Sequence, residues 1–186
     1  VARIPYFDPA KAQGRAKKQY EKLAPLNIFR MLGHAGEMLD GFCRLGGQIL
    51  NFADLDPVLR EIAIIRTGIL CGSSYEVHQH KRIGRRIGMS AELLAGIDEG
   101  PDAPVFDATQ RLVMHFTDDV VKNVRAGDAT FDPLSKILSY KEMQELVITI
   151  GYYMMVSRFL ETFDVDIEDE QAVSDAQMPG VARSPR

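Results

Sequence analysis

Glu61, Glu76 and His80 have the types and spacing for proton transfer. At about 100° per residue, a helix over Ser73–Ile87 places Glu76, His80, Ile83 and Ile87 in one stripe. His78, Lys81, Arg82 and Arg85 fall on or near the other side. The two isoleucines mark the first stripe as core-facing, so a carboxylate and an imidazole one turn apart are carried toward the interior. Burial makes a lone carboxylate costly and raises its pKa. An imidazole beside it can share that proton and move it at neutral pH, as acid–base catalysis requires. Glu61 stands among isoleucines with Arg60 and Arg66 as its local cations, and it can join the pair where two helices meet. Each residue also has a plainer role. Ser73-x-x-Glu76 matches a capping box, Glu61 suits an arginine ion pair, and a histidine on an apolar face is commonly a satisfied core residue. The spacing alone names no reaction.

The elements that must position these residues are helical, and no stretch alternates apolar and polar residues long enough for a strand. Asp8-Pro9 opens a polar helix expected to run to about Leu23, and a short helix follows around Ile28–Leu32. Met38, Leu39, Phe42, Leu45 and Ile49 share a face of the next, which ends near Asn51. Asp56-Pro57 starts a helix apolar almost all round, hence central and buried, broken at Cys71-Gly72. The helix from Ser73 stops at Gly88, and Ser90 caps a short one to Ile97. Asp107 with Gln110 and Ser139 with Glu142 form capping boxes for two longer helices, and Asp132-Pro133 begins a short one between them. From Asp164 the pattern dissolves into an acidic tract and a Pro/Gly/Ser-containing tail. The expectation is an all-α, single-domain helical bundle over 1–163 with an extended or disordered tail over 164–186.

Composition narrows the classes. At 186 residues the chain suits one core better than two, and 46% hydrophobic with 26% charged residues excludes wholesale disorder. A net charge of −4 argues against a general nucleic-acid or anionic-membrane binder. The longest uncharged run, residues 146–157, falls short of the roughly 20 residues that cross a bilayer. No signal peptide is visible, and two cysteines in apolar segments, Cys43 and Cys71, form no disulfide framework. A cytoplasmic location is therefore expected. His78 and His80 sit roughly 200° apart on a helix, which disfavours a shared metal, and no glycine-rich phosphate loop precedes a helix. Lys81, Arg82, Arg85 and Arg86 form a basic face, either solvated or able to attract an anionic substrate.

The stretch LREIAIIRTGILCGSSYEVHQHKRIGRRIG, residues 59–88, resembles the carboxymuconolactone decarboxylase / alkylhydroperoxidase-D family. Redox-active members carry E-x11-C-x2-C-x3-H. With His80 as the motif histidine, Glu61 falls on the glutamate, while Ser73 and Glu76 replace the two cysteines. Tyr75-Glu76-Val77-His78-Gln79-His80 instead resembles the Tyr-Glu-Trp-x-x-His signature of the non-thiol branch, with Val77 for the Trp. Ile87-Gly88-Met89-Ser90 and Glu92-Leu93-Leu94 also fit. The alternative register, with His78 as motif histidine and Cys71 as first cysteine, puts Leu59 at the glutamate position and is rejected.

The resemblance implies an alkylhydroperoxidase-D-like bundle that assembles as a homo-oligomer, trimer or hexamer, with sites near subunit contacts. It implies cofactor-free, metal-free acid–base chemistry on a small organic acid or lactone, in the manner of a lyase. His80 would transfer the proton, Glu76 would be its partner acid or base, and Glu61 would orient it. Tyr75 and Ser73 would shape the substrate pocket. Neither nucleic acid nor membrane is expected as a partner. Two rivals stand beside this: a peroxidase using Cys71, and an oligomeric binding protein without chemistry.

Overall fold

Local capping signals set several helix boundaries in the computed structural model, which describes residues 1–168. In chain order the helices are α1 (Gly14–Tyr20), α2 (Asn27–Leu32), α3 (Met38–Phe52), α4 (Pro57–Leu70), α5 (Ser74–Arg86), α6 (Ala91–Glu99), α7 (Ala108–Asn123), α8 (Asp128–Ser135) and α9 (Tyr140–Phe163). There is no strand among the described residues, so the fold is all-α. Among them, no helix is long and apolar enough to cross a membrane. The chain divides into two compact units, one of Ala53–Arg158 and one of the segments on either side of it.

In the larger unit the Asp56 side chain accepts hydrogen bonds from the Val58 and Leu59 amides, and Pro57 takes the first position of α4. From Leu59 to Gly68 every residue of α4 is buried, as its all-round apolar pattern demands. It packs chiefly against α5 and α7, and Ile62, Ala63 and Ile65 share a core with Met114, Phe116, Leu146 and Ile150. Each fully buried isoleucine contributes about 1.5–3 kcal/mol, which offsets part of the cost of holding Arg60 and Glu61 inside. Arg66 grips Asp118 through two hydrogen bonds, of 2.6 and 2.9 Å, and ties α4 to α7.

The turn from α4 into α5 is a Schellman motif. Gly72 takes φ +71°, its amide reaches Ile69 O at 3.1 Å, and the Ser73 amide reaches Gly68 O at 2.8 Å. The same motif closes α5. Gly88 has φ +95°, and the Gly88 and Met89 amides bond Arg85 O and Gly84 O. Gly68 lets α4 and α5 approach closely, because a Cβ there would stand 3.2 Å from both Glu76 Cβ and Val77 Cγ2. The capping boxes at Asp107–Gln110 and Ser139–Glu142 form as the sequence indicates.

α8 departs from expectation by starting at Asp128 instead of at Asp132-Pro133. Its start is held by Asp119, whose Oδ2 accepts from the Gly127 amide and the Thr130 hydroxyl, so Pro133 sits inside the helix.

In the smaller unit the continuous helix expected from Asp8 to Leu23 is broken. Asp8 caps only a 3-10 turn over Pro9–Lys11, and Gly14, where α1 begins, takes φ +57°, outside the right-handed helical region. The Glu37 carboxylate takes the Arg15 amide and guanidinium there. Residues 164–168, the start of the expected tail, have no helix and lie against the N-terminal segment. Asp166 accepts from the Tyr6 hydroxyl at 3.0 Å and the Ala2 amide at 3.1 Å, and Glu168 accepts from the Asn27 amide. The remainder of that tail, 169–186, lies outside the described residues.

Candidate active site

Glu61 reaches the site from the middle of α4, and Glu76 and His80 reach it from successive turns of α5. None of the three is more than 5% exposed. His80 Nδ1 lies 2.7 Å from Glu61 Oε2, and Arg60 Nε donates to the other oxygen, Oε1, at 3.1 Å. A carboxylate receiving a guanidinium on one oxygen is the acceptor on the other, so His80 Nδ1 is the donor. That bond fixes the ring and turns Nε2 toward Glu76. His80 Nε2 and Glu76 Oε2 stand 3.4 Å apart, within ion-pair distance. Among the described residues Glu76 Oε2 nonetheless has no hydrogen-bond partner. The atoms best placed to exchange a proton therefore face each other without a bond between them.

The charge states follow from burial and neighbours. Burial pushes the Glu76 carboxyl up to about 7; the His80 charge opposes the rise and Glu61 adds to it. Burial pushes His80 down, but the charge and hydrogen bond of Glu61, with Glu76 behind them, outweigh it, and its pKa ends above the ordinary histidine range. Near neutral pH the Glu76–His80 pair holds a proton that either member can carry.

The plainer role of Glu76 does not apply. Ser73 is the N-cap residue of α5, yet its side chain makes no capping bond, and its buried hydroxyl has no partner among the described residues. Tyr75 is buried one residue before Glu76, so it points about 100° round the helix from it. Ser73 and Tyr75 thus flank the cluster in sequence, while the contacts that define it run through Glu61, Glu76 and His80. His78 is half-buried on another side of α5, as the helical phase requires. Of the basic face, Lys81 is taken up by Asp98 and Arg85 is exposed.

Both cysteines are free thiols. Cys71 is the half-buried C-cap of α4, at the turn instead of on the α5 stripe. Cys43, on α3, has its thiol pushed up to about 12 by burial and by the charge of Asp40, which disfavours a thiolate.

The sequence did not indicate Tyr153. Its ring stands edge-on to His80 with centroids 4.7 Å apart and packs in the same manner on Tyr152 at 5.2 Å. Burial and the nearby carboxylates hold its phenol well above the usual range, so it is a neutral wall. The middle of α9, residues 146–157, carries no charge, so no single face of it stands out; a tyrosine pair inside that run is the available signal.

The model of the carboxymuconolactone decarboxylase family matches residues 36–119, a span that includes Glu61, Glu76 and His80. No curated protein matches the chain. Among solved structures, one described as an alkylhydroperoxidase AhpD core, an uncharacterized peroxidase-related protein from Ralstonia eutropha, superposes with a TM-score of 0.81 at 16% identity. That match covers 96% of this chain and 98% of the other. An uncharacterized peroxidase-related protein from a Silicibacter species gives 0.77 at 15% identity, over 91% and 95%. A protein of unknown function from Agrobacterium tumefaciens gives 0.70 at 20% identity, over 75% and 96%. The fold is therefore that of the AhpD-like proteins.

Proposed function

We infer, from the match of residues 36–119 to the model of the carboxymuconolactone decarboxylase family, an enzyme that performs cofactor-free proton transfer on a small organic acid or lactone, with decarboxylation as one outcome. The observation that carries this reading is the unbonded 3.4 Å opposition of His80 Nε2 and Glu76 Oε2 inside the core. His80 Nε2 would take a proton from the carbon beside a carbonyl, and the electron pair of that C–H bond would move onto the carbonyl oxygen. Glu61, bonded to Nδ1, stabilises the imidazolium so formed. Protonated Glu76 would return a proton to the substrate, and its pKa near neutrality suits both halves of the cycle. In a decarboxylation the pair left on carbon by departing carbon dioxide would take that proton instead.

A thiol peroxidase working through Cys71 is the rival reading, favoured by the descriptions of the structural neighbours. Peroxide reduction by a dithiol needs a thiolate and a second thiol to resolve the sulfenic acid. Ser73 and Glu76 hold the positions of that pair here, and a hydroxyl and a carboxylate can do neither job.

One experiment separates the two. Hydrogen exchange beside the carbonyl of levulinate, and isomerisation of α-angelica lactone, would be followed by NMR in deuterated water; cumene hydroperoxide reduction would be measured in parallel. We expect exchange or isomerisation that falls about 10²–10⁴-fold in His80→Ala and survives the Cys43→Ser, Cys71→Ser double substitution. Rapid hydroperoxide reduction abolished by Cys71→Ser would instead establish the thiol reading.

A further inference from the structure

In the larger unit α4, α6, α7 and α9 each follow a serine or an aspartate whose side chain caps them. In every case the bond comes from the third amide of the helix: Leu59 to Asp56 at 3.1 Å, Leu93 to Ser90 at 3.1 Å, Gln110 to Asp107 at 2.8 Å and Glu142 to Ser139 at 3.2 Å. α5 follows Ser73, and there the cap is missing. The backbone is in place for it. The Ser73 amide bonds Gly68 O at 2.8 Å, and the first bond of α5, from the Val77 amide to Ser73 O, measures 3.2 Å. Ser73 is 1% exposed, its hydroxyl has no hydrogen-bond partner among the described residues, and the third amide of α5, that of Glu76, goes uncapped. A second buried atom of the same turn, Glu76 Oε2, also lacks a hydrogen bond. Native structures hold few such groups because each costs free energy, and two within four residues point to an occupant. At about 100° per residue Ser73, Glu76 and His80 fall within about 60° of one another. Helix side chains lean toward the N-terminus, so all three face the space over the first turn.

We propose that the first turn of α5 is an oxyanion site, in which the Ser73 hydroxyl and the Glu76 amide together hold the oxygen that gains charge when His80 removes a proton from the substrate. This rests on the proton-transfer reading above and supplies the donors that reading lacks. As the proton passes to His80 Nε2, the electron pair of the C–H bond moves onto the carbonyl oxygen. That single oxygen accepts from the Glu76 N–H and the Ser73 O–H, with the positive end of a 13-residue helix behind it. Residues three apart on a helix are close neighbours, so one atom reaches both donors. An ionised Glu76 would repel the oxyanion, but burial lifts its carboxyl to about 7, so in slightly acid solution it stands there as a neutral acid. The charge of Glu61 is already engaged by Arg60 and His80 Nδ1. Gly72 and Ser74, on either side of Ser73, are exposed, and nothing stands within 4 Å of where a Gly72 Cβ would be, so this end of α5 lies beside open space.

Nitrate, a planar oxyanion that does not titrate, serves as the probe. It is added to the full chain at pH 6 with chloride of equal ionic strength as the control, and the backbone amides are followed by NMR. We expect a saturable shift of the Glu76 amide with nitrate alone. In Ser73→Ala the nitrate Kd should rise about tenfold, and Tm should stay or rise because an unpartnered hydroxyl has been removed. Ser90→Ala, which loses a working cap, should lower Tm and leave the nitrate Kd unchanged. In the hydrogen-exchange assay Ser73→Ala should lower kcat about 10²-fold with KM close to wild type, since the bond forms only as charge develops. The absence of a saturable Glu76 shift in the wild type overturns the proposal, as does an unchanged nitrate Kd or an unchanged kcat in Ser73→Ala. So does a Tm loss in Ser73→Ala equal to that of Ser90→Ala, which would make Ser73 an ordinary cap. Nitrate binding that depends on Ser73, in a protein that exchanges no hydrogen, would sink the proton-transfer reading and leave an anion site at this helix end.

Discussion

Glu76 sets the proton content of the site, and the same property shapes stability. Its carboxyl titrates near 7 in the folded chain and near 4.5 when unfolded, so the folded state holds the proton more tightly. Its contribution to stability is full below pH 4.5 and is lost as pH rises toward 7, by up to about 3 kcal/mol. His80, raised above its ordinary 6.5, adds a loss of the same sign as pH climbs through its folded value. Asp118 and Asp119, held below the usual carboxylate range, act in the opposite sense but in more acid solution. Thermal melts between pH 5 and 8 should therefore show the wild type losing stability with rising pH. Glu76→Gln should show a visibly flatter profile. Parallel profiles would mean that Glu76 is ionised throughout and cannot be the acid of the cycle.

At the scale of elements, the contact of α4 with α5 decides the reach between Glu61 and His80, and Gly68 sets that contact. Gly68→Ala adds a methyl 3.2 Å from Glu76 Cβ, so α5 must give by a few tenths of an ångström. Alanine in a helix interior gains about 1 kcal/mol over glycine, which offsets the strain. The expected result is a chain of nearly unchanged Tm whose turnover falls roughly tenfold, since small misplacements of reacting groups are costly. Unchanged turnover would show that the spacing of the two helices does not matter to the chemistry. This scale also explains what the sequence could disclose. Asp56-Pro57, Ser90 and the two capping boxes act within a few residues, so their helix starts were legible. α8 was not, because its start depends on Asp119 in another helix. The Glu61–Glu76–His80 cluster was legible because one helical stripe and one neighbouring helix carry it. Tyr153 comes from a distant segment, and only tertiary packing brings it to His80.

For the whole molecule, the outward side of α9 bears on assembly. Tyr140, Val147, Ile148 and Met155 are exposed there, and Phe131, Tyr140, Met143, Val147 and Ile148 line a groove of about 630 Å3. Apolar surface gathered in this way marks an interaction site more often than a free face. A second copy of this chain is the occupant proposed, and light scattering at micromolar concentration should report a mass well above 20.8 kDa. A monomer at that concentration would remove the homo-oligomer from the proposal.

The paired Schellman turns around α5 have one more consequence, for which kinds of sequence change the protein can absorb. With both ends of the helix held, at Gly72 and at Gly88, α5 has a fixed number of residues between its anchors. Inserting or deleting one residue between Ser73 and Glu76 turns the glutamate by about 100° relative to the lower anchor, and one between Glu76 and His80 breaks their one-turn register. Substitutions on the outer side, at Arg85 for example, leave that indexing intact. Within this helix, then, letters can be exchanged far more freely than they can be counted differently.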